Sequence, residues 1–186
     1  MNIRKNLKSY LENKKYCKIH RKIGKVSIAR KNGYVVDLSD DFVLIQEVDD
    51  FKICGYIVIP IKSISEIICN KNEKFFDKIM ESEGLKQKIK NKHKINLKNW
   101  KTIFKSIKNL DFNVIVENEV PDDETFDIGP IIKINSTKMK IRYFNAQGVI
   151  NAELTKIPYN KITLVNFDDS YINIFSKYLI EPKKKK

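Results

Sequence analysis

Two stretches of this 186-residue chain run in parallel, and that parallel constrains the fold more than any other feature. Gly33-Tyr-Val-Val-Asp37 opens a series of short apolar segments that ends at Ile59-Pro60-Ile61-Lys62-Ser63-Ile64. Gly129-Pro-Ile-Ile-Lys133 opens a similar series that ends at Ile157-Pro158-Tyr159-Asn160-Lys161-Ile162. The glycines stand 96 residues apart and the Ile-Pro pairs 98, so the second copy carries two extra residues in between. The hairpin after Val48 and Phe144 is the expected place, because loop tips tolerate insertion. Carried forward, the 96-residue offset sets Val35 on Ile131 and Ile45 on Ile141; carried back without a gap, it sets Tyr16 on Phe112, Ile19 on Ile115, Leu7 on Ile103 and Leu11 on Ile107. The repeating unit is therefore read as a whole module of one helix plus several strands.

Modules of about 70 residues are marginal alone, so the two copies are expected to pack on each other. No run of eighteen apolar residues is present, so no membrane span and no membrane partner are expected. The start, Met1-Asn-Ile-Arg-Lys-Asn, lacks the apolar stretch of a signal peptide, and the chain reads as cytoplasmic. Cys17, Cys54 and Cys69 are odd in number, without a Cys-x-x-Cys, and suit a reducing compartment as small buried hydrophobes. Cys17 and His20 lie three apart on a candidate strand, which points them to opposite faces. His93 has no partner in view.

Net charge is +13, which raises the question of a nucleic-acid partner. Of the 36 basic residues, however, 32 are lysine and only Arg4, Arg21, Arg30 and Arg142 are arginine, the residue that specific nucleic-acid sites favour for its planar fork. The charge also alternates: +10 over residues 1–32, −5 over 33–70, +8 over 71–110, −7 over 111–130 and +7 over 131–186. Such blocks either neutralise one another within the fold or leave basic faces free for a polyanion.

The pattern along the chain is a helix over 2–13, then strands at Tyr16–His20, Tyr34–Asp37, Phe42–Val48, Gly55–Ile59 and Ser63–Ile67. Asn32-Gly33 reads as a hairpin turn. Lys74–Met80 reads as a helix ended by Gly84, and the lysine-rich Gln87–Lys98 as a mobile linker. Trp100, Ile103, Phe104 and Ile107 mark one face of a helix, with Trp100 in the core. Strands follow at Phe112–Val116, Ile131–Ile134, Met139–Phe144, Gly148–Leu154 and Ile162–Phe167, with an extra one at Tyr171–Phe175 and a disordered basic tail at Lys183–Lys186. The division expected is 1–70 for the first helix and barrel, 71–97 for a helical lysine-rich linker, 98–180 for the second, divergent copy and 181–186 for the tail.

A helix followed by five short bent strands, with a glycine early in the second, resembles the Sm-like fold. Residues 33–67 carry most of the resemblance: the glycine, the Val35-Val36-Asp37 strand, a turn, a long β-hairpin, the Gly55-Tyr56 strand and a closing isoleucine strand. It implies an α+β, mainly β architecture: two tandem Sm-like small β-barrels, strongly curved where glycine permits the bend, each preceded by a helix. Sm-like proteins commonly form rings and bind RNA through an Asp with a following Asn and through an Arg-Gly pair after the fourth strand. This chain has Asp37, Asp40 and Asp41 but no Asn in the next strand, and it has Pro60-Ile61 and Pro158-Tyr159 where Arg-Gly would sit. The scaffold is implied without the uridine pocket.

No phosphate-binding Gly loop, His-Glu-x-x-His or nucleophile elbow is present. The pairs Asp40-Asp41, Asp49-Asp50, Asp122-Asp123 and Asp168-Asp169 fall in expected turns, where Asp bonds its own backbone. No catalytic residue, cofactor or metal is assigned. The reading is a non-enzymatic binding or adaptor protein with a protein partner, whose contacts are exposed strand edges and Asp49, Asp50, Phe51 and Tyr56. Phe51 is either a core anchor folded inward, the reading that the burial tendency of Phe favours, or a contact residue. The alternative is low-specificity RNA or DNA binding through the lysine-rich faces at 1–32 and 86–108.

Overall fold

The computed structural model describes residues 2–25 and 27–182; the expected disordered tail at Lys183–Lys186 lies outside them. The chain is α+β and mainly β. Helix α1 (Ile3–Glu12) starts at Asn2, whose side chain accepts from the Lys5 amide. Strands β1 (Tyr16–Ile23), β2 (Ser27–Leu38), β3 (Phe42–Asp49) and β4 (Lys52–Pro60) follow, then a 3-10 turn at Ile61–Ser63, β5 (Ile64–Ile68) and α2 (Lys71–Ser82). The same order then recurs: α3 (Trp100–Asn109), β6 (Asn113–Asn118), β7 (Thr125–Ile134), β8 (Lys138–Ile141), β9 (Thr155–Pro158), a 3-10 turn at Tyr159–Lys161, β10 (Leu164–Phe167) and α4 (Ser170–Phe175).

The strands form one antiparallel sheet in the order β5-β1-β2-β3-β4-β10-β6-β7-β8-β9. Each half contributes five neighbours in the same internal order, joined where β4 meets β10. Among the described residues no ladder joins β4 to β5 or β9 to β10, so neither half closes into the expected barrel.

The halves repeat in backbone detail. Gly33 and Gly129 have φ of +155° and +150°, and a Cβ there would collide with the carbonyl oxygens of Gln46 and Arg142, themselves 96 residues apart. Ser39 donates its amide to Phe42 O, and Asn135 donates to Lys138 O; Ile61 donates to Asp41 O, and Tyr159 to Thr137 O. The two extra residues fall between Ile141 and Thr155, which pair as Ile45 and Ile57 do.

Ahead of the glycines the register differs from the ungapped expectation by one residue. Gly33 pairs with Cys17, and Gly129 with Val114, 97 residues apart. Lys15 donates to Tyr10 O as Phe112 donates to Ile107 O. The first β-hairpin of the second half is thus one residue shorter. Ile19 corresponds to Val116 rather than Ile115, and Leu7 to Phe104 rather than Ile103; all four of the corresponding residues are buried.

Other expectations shift for physical reasons. Asn32-Gly33 is not a turn but the middle of β2, and the turn lies at Gly24-Lys25. Gly148–Leu154 is not a strand: residues 145–150 form a loop held by isolated bridges, and the ladder strand is β9. Tyr171–Phe175 is helical, started by the Asp169 carboxylate accepting from Tyr171 N. It is the counterpart of α2, which starts at an Asn70–Glu73 capping box. Gln87–Lys98 has little regular structure but is no loose linker, because Ile89, Ile95 and Leu97 are buried.

Strands β3 and β4 are apolar on both faces, as strands covered on two sides must be. Val43, Ile45, Ile57 and Ile59 point into the core of the first half, with Leu7, Ile19 and Val35. Phe42, Leu44, Tyr56 and Val58 point the other way, into a larger core with α3, Met139, Ile141 and Phe167 of the second half. Each half therefore completes its core with the other's side chains, which meets the expectation that small modules pack together.

Candidate functional site

The β3–β4 hairpin turns through Asp50 and Phe51, both in the left-handed region at φ 42° and 63°. Phe51 stacks on Phe76 of α2 with ring centres 4.4 Å apart, and Phe76 stacks on Tyr16 at 4.3 Å. Phe51 is 40 % exposed, so one ring face is packed and the other open; it is not a core anchor folded inward. Asp49 and Asp50 are exposed beside it. Tyr56 is placed differently from the expectation: it is buried, and its hydroxyl donates to Lys90 O at 2.8 Å. It holds the 86–98 segment to β4 and offers no surface to a partner.

His93 lies on that same segment, and its partners come from far along the chain. Its Nε2 is 2.9 Å from Asp168 Oδ2, and its ring packs edge-on to Tyr56 and Phe112 at 5.2 and 4.8 Å. The pair ties the segment across the junction of the two halves. Gly55 faces the same corner, where a Cβ would strike Phe167 O and Asp168.

Two adjoining clefts lie beside the β2–β3 turn. One, of about 860 Å³, lies between α1, the β2–β3 turn and residues 95–98. The other, of about 630 Å³, lies between the two 3-10 turns, with Pro60, Ile61 and Lys62 on one side, Tyr159 and Asn160 on the other, and Trp100 between. Both positions that lack Arg-Gly thus border one cavity. Rings connect behind it: Trp100 meets Phe42 edge-on at 4.7 Å and stacks on the buried Phe104 at 5.7 Å, and Phe104 stacks on Tyr159 at 5.9 Å. Trp100 is buried, as expected.

The charges lining these clefts are mixed, and some are engaged. Arg4 pairs with Asp40, Asn91 donates to Asp37 Oδ2 at 3.0 Å, and Ser39 Oγ donates to Leu97 O at 2.9 Å.

Arg21 has a structural role. Arg21 is fully buried; it donates to both oxygens of Glu119 at 2.5 and 2.7 Å and to Thr163 O, joining β1 to the second half. Burial pushes the carboxyls of Glu47 and Glu117 above the usual range, although Lys31 pulls both down. Burial also pushes the Cys17 thiol up, out of the range of a nucleophile. Cys17 faces Gly33 O while His20 lies near Glu66, so the two do not meet. All four Asp pairs sit at bends or strand ends, and among the described residues no three His, Cys, Asp or Glu side chains converge on a metal position. No helix among the described residues is long and apolar enough to cross a membrane.

No protein-family model, curated protein or solved structure significantly matches the chain.

Proposed function

We propose that this protein is a non-enzymatic adaptor whose two halves are copies of one Sm-like module, opened into a shared sheet and fused edge to edge. The repeated glycine contacts and the repeated Ile-Pro turns support the common module. The partner is a protein. Its contact surfaces are the outer strands β5 and β9, each paired on one side only, and the Asp49-Asp50-Phe51 tip.

The observation that carries this reading over nucleic-acid binding is where the lysines and arginines go. The basic block at 1–32 meets the acidic blocks through Arg4–Asp40, Lys31–Glu47 and Arg21–Glu119, and Lys161 meets Asp123. The two clefts carry Asp beside Arg and Lys. A phosphate backbone needs a row of free cations, and these pairs take four cations out of such a row.

Fluorescence anisotropy with labelled single- and double-stranded oligonucleotides at low salt tests this. The adaptor reading predicts no saturable binding at micromolar protein. Saturable micromolar binding that falls steeply with added salt would replace it with the nucleic-acid reading.

A further inference from the structure

Behind the β3–β4 turn lies a hollow of about 260 Å³, lined by Tyr16, Asn32, Asp49 and Asp50 and by Lys18 and Glu73. Two of its polar groups lack partners among the described residues. Asn32 Oδ1 is buried and accepts no hydrogen bond. Tyr16 is only 4 % exposed, and while the hydroxyls of Tyr34, Tyr56 and Tyr159 each donate to a protein acceptor, the Tyr16 hydroxyl has none. That hydroxyl stands among the carboxylates: burial pushes it up to about 12, and Cys17, Glu73, Asp49 and Asp50 add to the rise. Lys18 is taken by Glu73, 3.1 Å away. Asp49 and Asp50 meet no Lys or Arg among the described residues. One lysine against three carboxylates leaves the lining at −2, in a chain of net +13.

The second half treats the matching place differently. Lys18 faces Asn32 across β1 and β2, and their counterparts Ile115 and Ile128 face each other across β6 and β7. Those isoleucines are buried and pack with Phe144 and Ile172. The scaffold therefore closes with an apolar pair here. The polar pair of the first half, with its unmet acceptor, is not needed to build the module.

We infer that this hollow receives an arginine side chain of a partner protein, whose guanidinium donates to Asp49, Asp50, Asn32 Oδ1 and the Tyr16 hydroxyl. This rests on the adaptor reading and names the contact made at the Asp49-Asp50-Phe51 tip. Unmet acceptors and net negative charge call for a cation that carries several donors. No three acidic side chains among the described residues converge on a metal position, so the cation is an organic one. The hollow is smaller than the roughly 300–1,000 Å³ of small-molecule pockets, which suits a single side chain. Guanidinium brings five donors in a planar fork that pairs with carboxylates, where an ammonium brings three. Phe51 keeps one ring face open beside Asp50, and Arg stacks on such faces.

A displayed random-peptide library, panned on the full chain, provides the test. The expected result is a set of enriched peptides that share an arginine. Replacing that arginine with citrulline, its neutral isostere, should weaken them at least about tenfold, and lysine should restore only part of the loss. The Asp49→Asn/Asp50→Asn double variant and Asn32→Ile, which installs the second half's residue, should each weaken the parent peptides at least about tenfold. Unchanged thermal melting confirms that a variant folds, and the double variant decides alone if Asn32→Ile does not. Enriched peptides that lack a common arginine, or that bind the double variant equally well, would overturn this site while leaving an adaptor. Self-association of the unmodified chain that is lost in the double variant would overturn the separate partner in favour of Arg30 or Arg142 of a second copy, both exposed. No enriched peptide would overturn the site, and together with saturable oligonucleotide binding it would overturn the adaptor as well.

Discussion

Single residues carry more than their share of this fold. Gly33 and Gly129 let two strands cross a carbonyl that any Cβ would strike. Replacing either with Ala is expected to cost about 2–4 kcal/mol in urea denaturation, since both steric overlap and an unfavourable φ must be relieved. Arg21 shows the opposite economy: a buried cation held by one carboxylate. Arg21→Ala strands Glu119 and should cost about 3 kcal/mol, while Arg21→Met with Glu119→Leu should recover most of that loss. Glu47 gives a pH signature. Burial raises its folded pKa above the ordinary value of 4.5, so the fold favours the neutral carboxyl. Its contribution is present below that value and is lost as pH rises through the folded pKa. Glu47→Gln should therefore raise the melting temperature at pH 7 and leave it unchanged below pH ~4. A variant less stable than the parent at pH 7 would show that the Lys31 pairing outweighs desolvation.

At the scale of elements, the segment between the halves matters most. Residues 87–98 read as a mobile linker because lysine dominates them, yet their three aliphatic side chains, Ile89, Ile95 and Leu97, are all buried. Ile89→Ala should cost about 2–4 kcal/mol in chemical denaturation, the loss typical of a core isoleucine and not of a linker. The sequence revealed the repeated order of strands, the Ile-Pro turns and the α3 face, because glycine, proline and helical spacing leave local marks. It hid the one-residue shift in β6, where Val114, Ile115 and Val116 are all buried, so alternation does not mark the register. It hid the nature of 171–175, because Tyr-Ile-Asn-Ile-Phe alternates like a strand while the Asp169 cap starts a helix. The candidate site was less legible. Phe51 was visible at its turn, but Tyr56 turned inward and His93 found a partner 75 residues away. The clefts and the hollow behind the β3–β4 turn arise from contacts that no local pattern encodes.

Across the whole molecule, two marginal modules become one body by sharing a sheet and a core. The junction pairs Val58 with Val165, Ile57 with Asn166 and Tyr56 with Phe167, and Gly55 lets the backbones close. Joining the halves uses one edge of each and leaves β5 and β9 at the two ends of the sheet. Hydrogen exchange along β4 and β10 tests this union most directly. The account predicts that the amides at the junction exchange only with global unfolding of both halves, and that Gly55→Val strips that protection while β1 and β2 of the first half and β7 of the second, each paired on both sides, keep theirs. Junction amides that exchange rapidly in the unmodified protein, like those of an exposed strand edge, would contradict it.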